Sequence, residues 1–162
     1  MKKISFTVIC LLLGASLCFS QTKYSVSRQT LSDVIELKAN MNSYSQEILK
    51  QTRYLGLGQD EQIRIILNYI FIINGKLDAL ISILDFKDSE KQDEQPSDLS
   101  PEEVKKFINY VLFRLDTMRQ DLDKRSQSTN DALMIHHVER IRRIFAETEG
   151  LLRQVHNELG KS

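Results

Sequence analysis

The sequence is poor in cysteine, and the two it contains, Cys10 and Cys18, both lie within the first twenty residues. A chain that begins after residue 20 has no thiol with which to form a disulfide or bind a metal. Exported proteins often reinforce small folds with disulfides. We therefore expect this protein to be held together by its apolar core alone.

Residues that interrupt helices are also scarce. The 162 residues include six glycines and two prolines, and tryptophan is absent. Because glycine and proline are the usual helix breakers, their low number favours long helices. Neither sign of charge is in excess, since 22 basic residues balance 22 acidic ones. A neutral chain has no overall field to attract nucleic acid, so we predict no nucleic-acid partner.

The first twenty residues have the order of a bacterial secretory signal. Two lysines precede an apolar run over residues 4–13, and small and polar residues follow up to Ser20. This run is too short to span a membrane comfortably, and the small residues before Gln21 favour cleavage there. We therefore predict a cleaved signal peptide over 1–20 and an exported mature chain without a membrane span. It would lie in the periplasm, outside the cell or at the cell surface.

A lipoprotein signal is the alternative interpretation of the same segment. In that case Cys18 would be the lipidated first residue of the mature chain and would anchor it to a membrane. Lipoprotein signals usually place a small residue directly before the cysteine, whereas Leu17 is bulky. Ordinary secretion is therefore favoured, and Cys18 stays a candidate lipidation site.

Four segments place apolar residues at alternating spacings of three and four, which is the pattern of helices packed side by side. They cover about 30–55, 59–86, 101–126 and 130–159. The second is the most apolar, and its repeating residues are Ile63, Ile66, Ile70, Ile73, Leu77, Leu80 and Leu84. Short connections join the first helix to the second and the third to the fourth. We predict an all-α fold, an antiparallel up-down-up-down four-helix bundle with coiled-coil-like heptad packing over 30–160.

Two segments are predicted to lie outside the helices. Residues 21–29 are interpreted as a flexible leader, and the charged residues 87–99 as a polar connector between two helical hairpins. Directly after the connector, Ser100 and Glu103 form a capping box, with proline at the first helical position. In the first helix, Gln51 is the only polar residue predicted on the apolar seam.

The helices carry no pattern typical of catalysis or of a cofactor. Their predicted apolar seams contain no aspartate, glutamate or histidine, and no serine lies in a Gly-x-Ser-x-Gly turn. His137 borders the predicted core and is interpreted as a structural histidine. Arg143 and Arg153 each follow a glutamate by four residues, which predicts surface ion pairs. We predict a protein that is not an enzyme and binds no metal or cofactor.

Apolar residues outside the seams are the one functional lead. They are Ile65, Phe71, Ile72, Tyr110 and Phe113. Exposed apolar patches usually mark a contact surface, although a deeply placed second helix would cover some of these residues. The hypothesis is an exported, non-enzymatic bundle that acts through contact with a protein partner or in a homodimer. The alternatives are a periplasmic carrier or chaperone for an apolar client or lipid, and a structural envelope protein anchored through Cys18.

Overall fold

The structure is a computed structural model that describes residues 24–54, 61–84 and 99–161. The predicted signal peptide, Cys18 and all of the connector except Leu99 lie outside these residues. The described part contains four helices and no strand, which confirms the predicted all-α bundle. The helices are α1 (Arg28–Tyr54), α2 (Glu61–Leu84), α3 (Pro101–Gln127) and α4 (Ala132–Glu158).

Neighbouring helices run in opposite directions. On α1 and α2, Lys38 pairs with Asp78, and Asn42 lies 2.8 Å from Asn74, so residue numbers rise on one helix as they fall on the other. The other neighbouring pairs show the same antiparallel order. For α1 and α4 the contacts are Thr30–Glu158 and Glu47–Arg140. For α2 and α3 they are Tyr69–Asp121 and Lys76–Tyr110, and for α3 and α4 they are Arg119–Glu149 and Asp123–Arg142.

The bundle is not square in cross-section. α2 and α4 contact each other across it and also contact both other helices, whereas α1 and α3 do not meet within the described residues. The short diagonal between α2 and α4 therefore passes through the centre of the core. α2 lies deeper than a helix of a symmetric bundle would, and this covers more of its circumference.

The predicted seams form the core. Within α2, all seven residues that repeat at three and four are buried, and we call them the inner seam. The end of α1 differs from the prediction, because Thr52 is buried where Gln51 was expected, and Gln51 is only half-buried. An α-helix has 3.6 residues per turn, so a strict 3.5-residue pattern drifts around it over several turns. The drift brings Thr52 inward by the last turn.

The segment before α1 differs from the expected flexible leader. Tyr24 and Val26 are buried, and the Tyr24 hydroxyl donates a hydrogen bond to the Leu99 carbonyl at 2.8 Å. The Ser27 amide donates to Glu158 Oε2 at 2.7 Å. We call residues 24–27 the N-terminal strap. It closes one end of the bundle by joining the start of α1 to the start of α3 and the end of α4.

Helix caps define the starts of α3 and α4. At α3 the predicted capping box is present: the Glu103 amide donates to Ser100 Oγ at 3.3 Å, and the Ser100 amide donates to Glu103 Oε2 at 2.7 Å. At α4, Asp131 accepts from the Leu133 amide at 2.9 Å. Caps of this kind contribute about 1 kcal/mol each. They fix where the two helices begin and hence the height of their side chains along the bundle.

Candidate interaction surface

α2 carries a second repeating set of residues on the face opposite its inner seam. These residues are all exposed and also follow spacings of three and four: Arg64, Asn68, Phe71, Gly75, Asp78 and Ser82. We call them the outer stripe. Phe71, with 78% of its surface exposed, is the large apolar residue near its middle. An exposed aromatic side chain of this size is a candidate contact residue, because aromatic residues are enriched in protein interfaces.

A groove between α1 and α2 lies beside Phe71. It encloses about 770 Å³, and its walls include the apolar residues Leu49, Leu67 and Phe71. On the groove's lining, Asn74 Nδ2 donates to Asn42 Oδ1 at 2.8 Å, while Asn74 Oδ1 has no hydrogen-bond partner within the described ranges. The groove thus has apolar walls, and a partly buried pair of asparagines joins α1 to α2 beside it.

The outer stripe has free space at one residue and opposite charges toward its two ends. A methyl group added at Gly75 would meet no atom within 4 Å, so the surface has free space at this point. Arg64 is exposed and forms no ion pair with any described residue, whereas Asp78, further along the outer stripe, pairs with Lys38 of α1. The outer stripe therefore presents a cation toward one end and an anion toward the other.

α3 adds two exposed aromatic side chains next to α2. Tyr110 is 49% exposed and Phe113 is 67% exposed. The Lys76 ammonium lies 5.3 Å from the centre of the Tyr110 ring, within the range of a cation–π contact. Because α2 and α3 are antiparallel, three residues from Tyr110 to Phe113 correspond to a step from Lys76 back toward Phe71. Phe113 is thus about level with Ile73, so Phe71 and Phe113 differ in height by roughly 3 Å, with Phe71 on the α1 side of α2.

The five predicted interface residues thus divide into two groups. Phe71, Tyr110 and Phe113 are exposed, whereas Ile65 and Ile72 are half-buried, and Ile72 packs against the core. The position of α2 on the short diagonal covers the two isoleucines. Two further exposed residues, Ile35 and Ile135, were not among the predicted residues. Each is a single apolar residue on a polar face, which is ordinary for a protein surface.

A polar cluster lies in the bundle interior between the middle of α1 and the first half of α4. The Tyr44 hydroxyl lies 2.9 Å from His137 Nδ1, and the Arg140 guanidinium lies 4.2 Å from the centre of the Tyr44 ring. Arg140 Nη1 in turn donates to Glu47 at 2.7 Å. His137 is 1% exposed, and its Nε2 atom has no partner in the described part of the chain.

Burial keeps this cluster neutral at its centre. Desolvation, with a smaller contribution from nearby His136, lowers the pKa of His137 below its ordinary value. Desolvation also raises the pKa of the Tyr44 hydroxyl well above its usual range. The hydrogen bond between the neutral histidine and the neutral tyrosine holds α1 and α4 in a fixed rotation relative to each other. The arrangement agrees with the structural role predicted for His137.

Several other charged side chains are paired on the surface, although the ion pair predicted for Arg143 with Glu139 does not form among the described residues. Arg153 and Glu149 form the predicted ion pair at 2.8 Å, and Arg142 reaches across to Asp123 on α3 at 2.5 Å. Tyr69 donates to Asp121 at 2.6 Å, and burial together with this bond raises the pKa of Tyr69 to about 12. Over the described residues, no three His, Cys, Asp or Glu side chains lie close enough together to hold a metal ion.

The apolar character of α2 has a second aspect. Among the described helices, α2 alone is long and apolar enough to cross a membrane, with a mean hydropathy of 1.4 over its most apolar stretch. The central helix of a bundle has the same composition, so this property by itself does not indicate a membrane. Comparisons with protein-family models, curated proteins and solved structures found no match for this chain.

Proposed function

We propose that this protein is an exported, non-enzymatic helical bundle that acts through protein–protein contact in the bacterial envelope or outside the cell. The observation that carries the proposal is the exposure of Phe71, Tyr110 and Phe113 on neighbouring helices. Aromatic residues supply much of the binding energy of protein interfaces, because they bury a large area and lose little conformational freedom. The three rings form the contact surface.

The surroundings of the rings resemble the rim of an interface. Lys76 lies against Tyr110, while Arg64 and Asp78 lie on either side of Phe71 along α2. Interfaces typically combine a small apolar centre with a polar, solvent-accessible rim. Charges at a rim select among partners and steer their approach, so this surface suits a partner with an apolar centre and charges of both signs.

Export is supported by the leader and by the independence of the bundle from cysteine. The leader has the charge and apolar pattern of a secretory signal. The described helices are stabilised by an apolar core and by helix caps, so they need no disulfide bond. Protein sequencing of the exported chain should give an N-terminus at Gln21. Fatty-acid labelling that disappears in Cys18→Ser would instead support the lipid-anchored alternative.

The contact surface is tested by comparing matched charge substitutions in a capture experiment. The exported chain is immobilised, and binding of a protein from an envelope extract of the native host is quantified for wild type and variants. Phe71→Glu and Phe113→Glu should each reduce binding by about tenfold or more, as loss of an aromatic anchor does. Lys124→Glu, an exposed site on α3 away from the rings, serves as the control.

The comparison has a clear negative result. Circular dichroism should show the same helix content in all three variants, because every substituted side chain is exposed. If Phe113→Glu and Phe71→Glu bind as the wild type does, the rings are not the contact surface and the proposal fails. Loss of binding in Lys124→Glu to the same extent would contradict it as well, because the effect would then not be specific to the rings.

A further inference from the structure

We infer that the outer stripe of α2 binds the outer stripe of a second copy of this chain, in an antiparallel, two-fold symmetric pair centred on Phe71. The inference rests on the proposed function, since it names a second copy as the partner of one part of the contact surface. Phe113 on α3 stays exposed in this pair, and because the pair is reversible, Phe71 is free to contact a different protein whenever the copies separate.

The order of charges along the stripe carries the argument. Arg64 precedes Phe71 by seven residues and Asp78 follows it by seven. Seven residues are about two helical turns, so all three side chains share one face. If two stripes pack antiparallel about Phe71, Arg64 of each copy lies opposite Asp78 of the other. The two-fold axis repeats this pair at both ends of the contact, as expected for an isologous dimer.

The same charges disfavour the parallel arrangement. In parallel, in-register stripes, Arg64 would face Arg64 of the second copy, and Asp78 would face Asp78. Like charges across an interface repel, so the sequence of the stripe selects the antiparallel orientation. Asp78 can accept a second cation because it is exposed and its Oδ1 atom alone is engaged by Lys38.

The shape of the stripe fits this register. The layer beside Phe71 places Asn68 of one copy opposite Gly75 of the other. The space at Gly75, where an added methyl group would meet nothing within 4 Å, leaves room for the Asn68 amide. Phe71 of the second copy comes to lie beside the groove of about 770 Å³ and can contact Leu49 and Leu67 on its walls. Each copy therefore supplies the Phe71 ring to the other copy and a groove that can receive the other copy's ring.

The contact is short, which sets its expected strength. From Arg64 to Asp78 the helix is about 21 Å long at 1.5 Å per residue. Interfaces that bury less than about 1,200 Å² in total are typically weak and transient. The dimer should therefore form in a concentration-dependent manner and exchange its copies readily. Exchange makes a mixing experiment possible.

Sedimentation equilibrium on the exported chain tests the antiparallel register through two charge reversals. Arg64→Glu and Asp78→Lys should each weaken dimerisation by about tenfold or more, because like charges then meet at both ends. An equimolar mixture of the two variants should dimerise again. In the mixed dimer the introduced glutamate faces the introduced lysine at one end, and the native arginine and aspartate face each other at the other end. Lys124→Glu, off the stripe, should dimerise as the wild type does.

A cysteine at the symmetry axis gives an independent measurement. Because the sequence contains no cysteine after residue 18, Phe71→Cys places a single thiol on the axis, beside its own counterpart. Mild oxidation should convert this variant to a disulfide-linked dimer. Phe113→Cys, at a site on α3 that is also exposed, should remain largely monomeric under the same conditions.

Three results would overturn the inference. The first is a wild-type chain that stays monomeric up to about 1 mM, the upper end of weak specific binding. The second is a mixture of the two charge variants that does not regain dimerisation. The third is equal crosslinking of both cysteine variants. None of them contradicts the proposed function if Phe113→Glu still loses its captured partner. Conversely, dimerisation without any captured partner would support the stripe and contradict the role of Phe113.

Discussion

The two faces of α2 share one spacing and differ in content. The inner seam consists of isoleucine and leucine throughout, whereas the outer stripe has one large apolar residue, Phe71, among small and polar ones. Both faces have the periodicity of a helix-packing surface. The comparison shows that periodicity determines where a helix can be contacted, while side-chain content determines how strongly.

This difference separates folding from association. Each buried isoleucine or leucine of the inner seam contributes about 1.5–3 kcal/mol, so the seam as a whole is indispensable to the fold. The outer stripe buries nothing comparable within the chain. The contact proposed for it would be supplied by another chain and should be reversible, so changes there should affect binding without affecting stability.

The largest effect is expected on the inner seam. Ile73→Ala removes a fully buried side chain and leaves a cavity, so the free energy of unfolding should fall by about 2–5 kcal/mol. Urea titration followed by circular dichroism measures this difference, with exposed Ser82→Ala on the same helix as the control. A loss below about 1 kcal/mol would mean that the seam is not tightly packed, and the contrast between the two faces would disappear.

The second effect tests whether an inward-facing polar group must stay neutral. Desolvation lowers the pKa of His137 in the folded state below its ordinary value of 6.5, so below that pH the unfolded chain binds more protons than the folded one. Stability should therefore fall as the pH decreases through this range, by at most about 1.4 kcal/mol per pH unit. Urea midpoints at about pH 7.5 and pH 5 measure the change.

The charged groups around His137 make a matched variant necessary. Tyr44 and Glu47 face it from α1, and Asp131, His136 and Arg140 lie near it on α4. His137→Leu removes the titrating ring and leaves these groups in place, so its stability should depend less on pH over the same range. An identical pH dependence in the variant and the wild type would assign the acid sensitivity to other residues.

The smallest effect on stability is expected at the centre of the outer stripe. Phe71→Ala should change the free energy of unfolding by no more than about 0.5 kcal/mol, as exposed substitutions usually do. Half-buried Ile72→Ala, its neighbour in sequence, should give a loss between those of Phe71→Ala and Ile73→Ala. Urea titrations of the three variants at low protein concentration measure these losses. An equal loss of unfolding free energy in Phe71→Ala and Ile73→Ala would contradict the difference between the two faces.

Periodicity was sufficient to predict the bundle and its inner seam, because burial of a 3–4 repeat follows from helix geometry alone. It was not sufficient to rank the candidate interface. Ile65 and Ile72 were grouped with Phe71 because a helical wheel assumes a symmetric bundle, whereas α2 lies on the short diagonal here. The short diagonal depends on the packing of all four helices, so the sequence pattern of one helix does not predict it.

The N-terminal strap was missed for a related reason. Tyr24 and Val26 alternate with polar residues, a two-residue period that indicates an extended segment with one buried face. The other seven residues of 21–29 are all polar and conceal this short signal. Its binding site also exists only after α3 and α4 have packed, since Leu99 and Glu158 supply the acceptors. A local pattern cannot reveal a site built from distant parts of the chain.

The strap also has a consequence for the order of events during folding. It comes at the start of the described chain, yet its acceptor Glu158 is near the end, 131 residues away from Ser27. Closing so long a loop is slow relative to local helix formation, so this contact forms late. During synthesis from the N-terminus, the strap has no complete docking site until α4 has emerged. Formation of α4 is thus what allows this end of the bundle to close, and loss of either the strap or the last turn of α4 opens the same end.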